Sequence, residues 1–185
     1  MEPVEFSDGG LILDGKQWLA IGDGRFDLPA MPATISLEAS LVVGSSGIEW
    51  SGIVGALQDN GDFERGSLLG VRDDRFFFSV ASEQKPRMTY LQSPRPIVVG
   101  QRYHLVGTYD GTLMKLYVDG KLLAVSSAQA GAIMFEQNSC LVAGIYKDDN
   151  DHLPLQGVLT KAAVYRGALP VDDIVSLSNS TRIPD

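Results

Sequence analysis

The chain has 185 residues, of which 44% are hydrophobic and 21% charged. That length suits one domain over residues 1–185, able to bury roughly 70% of its unfolded surface with no metal or disulfide staple. A net charge of −8 and a pI near 4.7 set the surface against phosphate backbones and acidic lipid, which excludes nucleic acid and membrane as expected partners.

Met1-Glu2-Pro3 brings no basic n-region and no apolar h-region, so the start does not read as a signal peptide. No apolar stretch reaches the roughly 20 residues that span a bilayer. Leu11-Ile12-Leu13 and Trp18-Leu19-Ala20-Ile21 flank Asp14-Gly15, a pattern that predicts a first hairpin. From Thr34 to Val43 the residues alternate. Ile35, Leu37, Ala39 and Leu41 face one side and Ser36, Glu38 and Ser40 the other, which predicts a half-buried strand. Gly52–Leu57 is a short apolar run, followed by the polar loop Gln58-Asp59-Asn60-Gly61-Asp62. Ser67–Val71 and Arg75–Val80 predict a strand pair around Asp73-Asp74. Met88–Leu91 is a further strand candidate, and the Pro94/Pro96 segment after it cannot be a central strand.

Arg102–Val125 holds three apolar-alternating runs separated by Asp110-Gly111 and Asp119-Gly120. Asp-Gly supplies the positive φ of a type I′ turn, so the stretch predicts a three-stranded antiparallel meander. In its middle strand Met114, Leu116 and Val118 point one way and Leu113, Lys115 and Tyr117 the other. Strands follow near Ser139–Ile145 and Leu155–Tyr165. Cys140, the one cysteine, sits in an apolar run with no basic neighbour to activate it, and reads as a buried strand thiol. Pro170, then Asp172 and Asp173, then Ile174 and Leu177 on one face predict a short C-terminal helical turn that plugs a sheet edge or the sandwich mouth. Turn signals every 8–15 residues predict an all-β, two-sheet antiparallel sandwich.

The meander resembles the hairpin signature of laminin-G-like domains of the concanavalin A-like lectin/glucanase superfamily. The matching residues are Tyr103-His104, Gly107-Thr108-Tyr109-Asp110-Gly111 and Leu116-Tyr117-Val118-Asp119-Gly120. Arg102 stands where the family usually has Trp. Leu13-Asp14-Gly15 with Trp18-Leu19 resembles the family's opening strand, and Ala33–Ala39 its second strand, without the Trp that commonly follows. Gly157–Leu169 resembles its closing strand, with Thr160-Lys161 where Asp-Glu is common. The resemblance implies a concanavalin A-like jelly roll. In relatives a structural calcium often lies near the first and last strands. Asp14 would match the first-strand position, but Thr160 replaces the closing acid, so calcium is possible and not favoured, and no cofactor is expected.

Some relatives are glycoside hydrolases, which need two carboxylates at alternate positions of one strand. Glu38, Glu49, Glu64, Glu83 and Glu136 each lack such a partner, so no catalytic residue is assigned and the chain is not expected to be an enzyme. His104 belongs to the hairpin signature and reads as a structural strand histidine; His152 reads as a loop residue. Asp148-Asp149-Asn150-Asp151 is the best metal candidate. It lacks the spacing of a calcium loop and reads as a solvated turn, so no metal ligand is assigned.

Recognition remains. Sugar sites combine an aromatic platform with planar polar groups on nearby loops. Trp50, Tyr90 and Tyr146 with Asp59, Asn60, Arg65 and Arg87 form that set here, against the simpler reading that the aromatics are core. The expected function is a non-catalytic binding module for a glycan or a protein surface, within a larger exported protein, extracellular or periplasmic. The alternatives are an accessory domain packed on an adjoining catalytic domain of the same polypeptide, and a hydrolase or lyase with an unrecognised site.

Overall fold

A computed structural model describes residues 6–7, 9–21 and 32–180. Two antiparallel sheets pack face to face as a sandwich. The first contains β1 (Phe6–Ser7), β2 (Gly10–Asp14), β4 (Ile35–Val43), β9 (Arg102–Tyr109), β10 (Met114–Val118), β11 (Lys121–Ser126) and β15 (Gln156–Arg166), in the order β1-β2-β15-β4-β9-β10-β11. The second contains β3 (Leu19–Ala20), β5 (Trp50–Asp59), β6 (Glu64–Arg72), β7 (Arg75–Ser82), β8 (Lys85–Gln92) and β12 (Val142–Ala143), in the order β3-β12-β5-β6-β7-β8. A small ribbon of β13 (Ile145–Lys147) and β14 (His152–Pro154) lies beside β5.

Alternation along the strands builds the main core between the sheets. Ile35, Leu37, Ala39 and Leu41 of β4 meet Val71, Phe76, Phe78 and Val80 across the interface. In β10, Met114, Leu116 and Val118 point into this core, as the alternation requires. Tyr117 points outward, where Val106, Leu169 and Ile174 of the C-terminal helix α1 (Val171–Ser180) cover it. A second apolar cluster lies on the outer face of the six-stranded sheet, with Leu57, Leu68, Phe77, Met88 and Tyr146 at its centre.

The Asp119-Gly120 turn takes positive φ at both residues, 52° and 76°, the I′ conformation that matches strand twist. Asp73 and Asp74 do the same between β6 and β7, at 51° and 55°. Asp110-Gly111 differs: only Gly111 is left-handed, at 96°. The wider turn closes through Asp110 N–H to Leu113 O, while Asp110 Oδ1 accepts the N–H groups of Thr112 and Leu113. A carboxylate-capped turn thus replaces the expected type I′.

Other expectations are corrected. Residues Leu11–Leu13 and Trp18–Ile21 do not form a hairpin. β2 pairs with β15 in one sheet, and β3 pairs with β12 in the other. Asp14 Oδ1 accepts the N–H groups of Lys16 and Gln17, turning the chain out of one layer toward the second. β4 is not half-buried: Ser36, Glu38 and Ser40 on its outer face are as enclosed as the core side. The Ser139–Ile145 run splits, because Gly144 at φ 83° separates β12 from β13. Cys140 lies outside any strand and is half-buried. His152 opens β14 rather than sitting in a loop. The C-terminal helix runs ten residues rather than a turn or two, and it covers a sheet face.

Candidate functional site

The outer face of the six-stranded sheet carries a groove of about 360 Å³ lined by Trp50, Asp59, Glu64, Arg72, Tyr90, Tyr146, Asp151 and Leu153. Trp50 opens β5. The loop before it is fixed by Asp74, whose carboxylate accepts the N–H groups of Gly47 and Ile48 at 2.9 Å each. Tyr90 comes from β8, and Tyr146 from β13. The β13 backbone approaches β5 so closely that a Cβ on Gly52 would lie 2.1 Å from Ile145 O and 2.4 Å from Tyr146 N. Gly52 therefore seats Tyr146 in the groove, since any side chain there would push β13 away.

The three aromatics meet edge to face. Trp50 lies 5.3 Å from Tyr90 and 6.1 Å from Tyr146 between ring centroids, and Phe77 supports Trp50 from below at 5.7 Å. These separations are the favoured T-shaped geometry. Arg72, opposite Trp50 in the β5–β6 register, lays its guanidinium 4.5 Å from the Trp50 ring centroid. Asp59 and Glu64 pair at the other end of the same two strands. Glu64 Oε2 accepts Met88 N–H at 2.8 Å, and Asp59 Oδ1 accepts Gly61 N–H at 3.0 Å.

Burial above all, reinforced by Glu64 and Asp59, pushes the Tyr90 phenol well above its ordinary range. Burial likewise pushes Tyr146 up, followed by Tyr90, Asp59, Asp148 and Asp151. Both phenols stay neutral hydroxyls at ordinary pH. Trp50 and Leu153 also border an adjoining hollow of about 510 Å³ between Gly15, the 45–49 loop and Gln156.

Of the residues singled out from sequence, Trp50, Tyr90, Tyr146 and Asp59 come together in this groove. Asn60, Arg65 and Arg87 do not line it. Asn60 Oδ1 accepts the N–H groups of Asp62 and Phe63. Arg87 donates to the carbonyls of Gly61 and Asp62, and Arg65 pairs with Glu136 at 3.0 Å. Asn60 and Arg87 hold the loop of the β5–β6 hairpin, and Arg65 ties β6 to the 134–136 segment. Sequence reasoning missed Arg72 and Asp151 as groove residues, and it took Glu64 only as a catalytic candidate to be discounted. The cross-strand register of β5 and β6 is the signal that would have found Glu64 and Arg72.

A second polar cluster lies on the opposite face of the molecule. Glu38 is fully buried on β4. Its Oε1 is 2.9 Å from His104 Nε2 and 2.8 Å from Lys161 Nζ, and Tyr165 OH donates to its Oε2. Burial pushes the Glu38 carboxyl up, but the bonds from His104, Lys161 and Tyr165 outweigh it and hold it at about 2. Burial, then the Glu38 hydrogen bond, raises Tyr165 to about 12. With no exposed surface on Glu38, the cluster is a buried network binding β4, β9 and β15 together, in which His104 Nδ1 is left without a partner. His104 is structural in this arrangement, as the sequence suggested.

The residues do not fit the family calcium. Asp14 stands opposite Gln156 in the register, while the Thr160 hydroxyl donates to Ser40 O at 3.0 Å. Asp148 is 1% exposed; one oxygen closes the turn to Asn150 and Asp151, and Oδ2 has no partner. Among the described residues no group of three or more His, Cys, Asp or Glu is arranged to hold a metal. Also among them, no helix is long and apolar enough to cross a membrane.

A family model of the concanavalin A-like lectin/glucanases superfamily, of laminin-G type, matches residues 13–175. Pappalysin-1 of Mus musculus is 38% identical over 78 residues, covering 38% of this chain and 5% of that protein. The human protein is 36% identical over the same length. The chain thus spans 5% of the curated relatives it matches.

Among solved structures, the CBM40 of a Ruminococcus gnavus IT-sialidase, bound to alpha2,3 sialyllactose, superposes with a TM-score of 0.68 at 15% identity, over 88% of this chain and 97% of that one. Domain 4 of a GH43 extracellular arabinanase from Geobacillus stearothermophilus, in complex with arabinotriose, gives 0.64 at 14% identity, over 96% and 82%. A Trypanosoma rangeli sialidase gives 0.67 at 15% identity, over 96% of this chain and 28% of that one. At such identities these likenesses concern the fold.

Proposed function

The chain belongs to the concanavalin A-like lectin/glucanases superfamily, and from that membership we propose that it is a single non-catalytic module that binds a glycan in the groove on its six-stranded sheet. The observation that carries this is the Trp50–Tyr90–Tyr146 cluster beside Arg72, Asp59, Glu64 and Asp151. Sugar rings offer apolar C–H faces to aromatic rings and hydroxyls to planar polar groups, and one groove here supplies both. Trp50 and Tyr90 supply the stacking surface, Arg72 a fork of donors, and Asp59, Glu64 and Asp151 the acceptors.

Asp59 and Glu64 are the one pair of groove carboxylates in register. Both accept backbone N–H groups, the bonding of fixed acceptors, whereas a glycosidase needs one carboxyl free to donate a proton. The module belongs, in this reading, to a larger exported protein. The short match within a much longer relative supports that arrangement.

A glycan array probed with the wild-type chain and Trp50→Ala tests the reading. Binding to one sugar class that Trp50→Ala abolishes supports it; no binding to any glycan by a folded wild-type chain overturns it.

A second reading, an accessory domain packed on an adjoining one, is favoured by the β11 edge, where Leu122 is 49% and Val125 50% exposed. An unpaired edge strand with apolar side chains is a ready docking surface.

A further inference from the structure

We infer that the groove selects a glycan carrying free amines over its neutral or acidic counterparts, an inference that rests on the glycan-binding reading above. The charges in the groove are unequal. Among the described residues, Asp59, Glu64 and Asp151 line it against a single basic side chain, Arg72. Arg72 forms no ion pair with them: its Nε faces Asp73 Oδ2 at 3.5 Å, and its guanidinium lies over Trp50 and, at 5.8 Å, Tyr90. Among the described residues none of the three groove carboxylates forms an ion pair. Glu64 and Asp59 each commit one oxygen to a backbone N–H, which leaves their second oxygens, and both of Asp151, for a ligand.

The field of these acids reaches the aromatic wall. Asp59 and Glu64 act on the Tyr90 phenol, and Asp59, Asp148 and Asp151 on that of Tyr146. An ammonium suits such a site in two ways. It donates three hydrogen bonds to carboxylate oxygens, and it rests on an aromatic face by cation–π attraction. Arg72 shows that these rings already hold a cation. A carboxylated sugar would instead put like charge beside three acids, which costs affinity. The chain's charge of −8 adds to that bias at long range.

The probes are β-1,4-linked glucosamine hexamer, its fully N-acetylated counterpart, a galacturonate hexamer and sialyllactose, measured by calorimetry on the whole chain at pH 6 and two salt concentrations. The inference expects the glucosamine hexamer to bind about tenfold more tightly than the acetylated one, with the margin shrinking as salt rises and no binding of the acidic sugars. Asp59→Asn with Glu64→Gln should erase that margin, weakening the glucosamine hexamer more than the acetylated one. Asp151→Asn, at an exposed rim position where only the backbone joins the turn to Asp148, should narrow it with little risk to the fold.

Equal affinity for the two hexamers, or tighter binding of an acidic sugar, overturns the inference and leaves the glycan-binding reading standing. A margin that survives both sets of substitutions overturns it as well. Failure of all these probes together with every glycan on the array overturns both.

Discussion

The guanidinium of Arg72 lies 4.5 Å from the centre of the Trp50 ring, and the two residues face each other across β5 and β6. This contact joins the aromatic wall of the groove to the one basic side chain that lines it among the described residues. A cation–π contact at a partly exposed site is worth about 0.5–1 kcal/mol. Arg72→Ala should therefore cost about that much stability in a urea titration. It should weaken glycan binding several-fold, because a planar fork of donors is lost as well. A variant that loses stability and keeps full affinity would show that Arg72 only braces Trp50.

The buried Glu38 network predicts an acid-sensitive fold. The Glu38 carboxyl stands at about 2 in the folded chain against 4.5 in its ordinary state. Its contribution is fully present above about pH 4.5 and is lost as pH falls toward 2. The difference corresponds to about 3 kcal/mol. Denaturant titrations at pH 7 and pH 3 should show the wild type losing stability on acidification. Glu38→Gln should be the less stable chain at pH 7 and lose less between the two pH values. Parallel losses in both chains would show that other carboxylates govern the acid limb.

Gly120 tests the meander. At φ 76°, with Ser178 Cβ 3.3 Å from where a Cβ would stand, Gly120→Val meets left-handed strain of about 1–2 kcal/mol. The melting temperature should fall by several degrees, at about 2–4 °C per kcal/mol for a chain of this size. An unchanged melting curve would contradict the turn.

Much of this architecture is legible in the sequence because its turns announce themselves. Asp119-Gly120 and Asp73-Asp74 are local devices, and alternation then assigns each strand's two faces. Asp14-Gly15 misleads because the same dipeptide that closes a hairpin here caps a turn leading from one sheet to the other. What decides the outcome is the pairing of β2 with β15, more than 140 residues downstream, which no local pattern carries. The groove is legible in part for the same reason. Trp50, Tyr90 and Tyr146 stand out as large aromatics near strand ends. Glu64 and Arg72 matter only through their register with Asp59 and Trp50. The Glu38 network joins residues up to 127 positions apart. From sequence, its carboxylate looked isolated on a strand face that His104, Tyr165 and Lys161 in fact help to cover.

Calcium should matter little. With Thr160 bonded to Ser40 and Asp14 opposite Gln156, the two positions do not converge on a shared ion. A cation bound only to the folded chain would raise its melting temperature by mass action. Millimolar calcium and EDTA should each move the melting temperature by no more than about a degree. A larger rise, reversed by EDTA, would direct attention to Asp148, whose Oδ2 is buried and unpartnered.

The central claim is that the groove on the six-stranded sheet is where ligand binds. Amide and indole chemical shifts of the labelled chain, followed as the strongest-binding oligosaccharide is added, test it most directly. The account predicts saturable shifts at the Trp50 indole and at the amides of Arg72, Tyr90, Tyr146 and Asp151, all lost in Trp50→Ala. Shifts centred instead on Leu122, Leu123 and Val125 at the β11 edge, with the Trp50 indole unmoved, would contradict it.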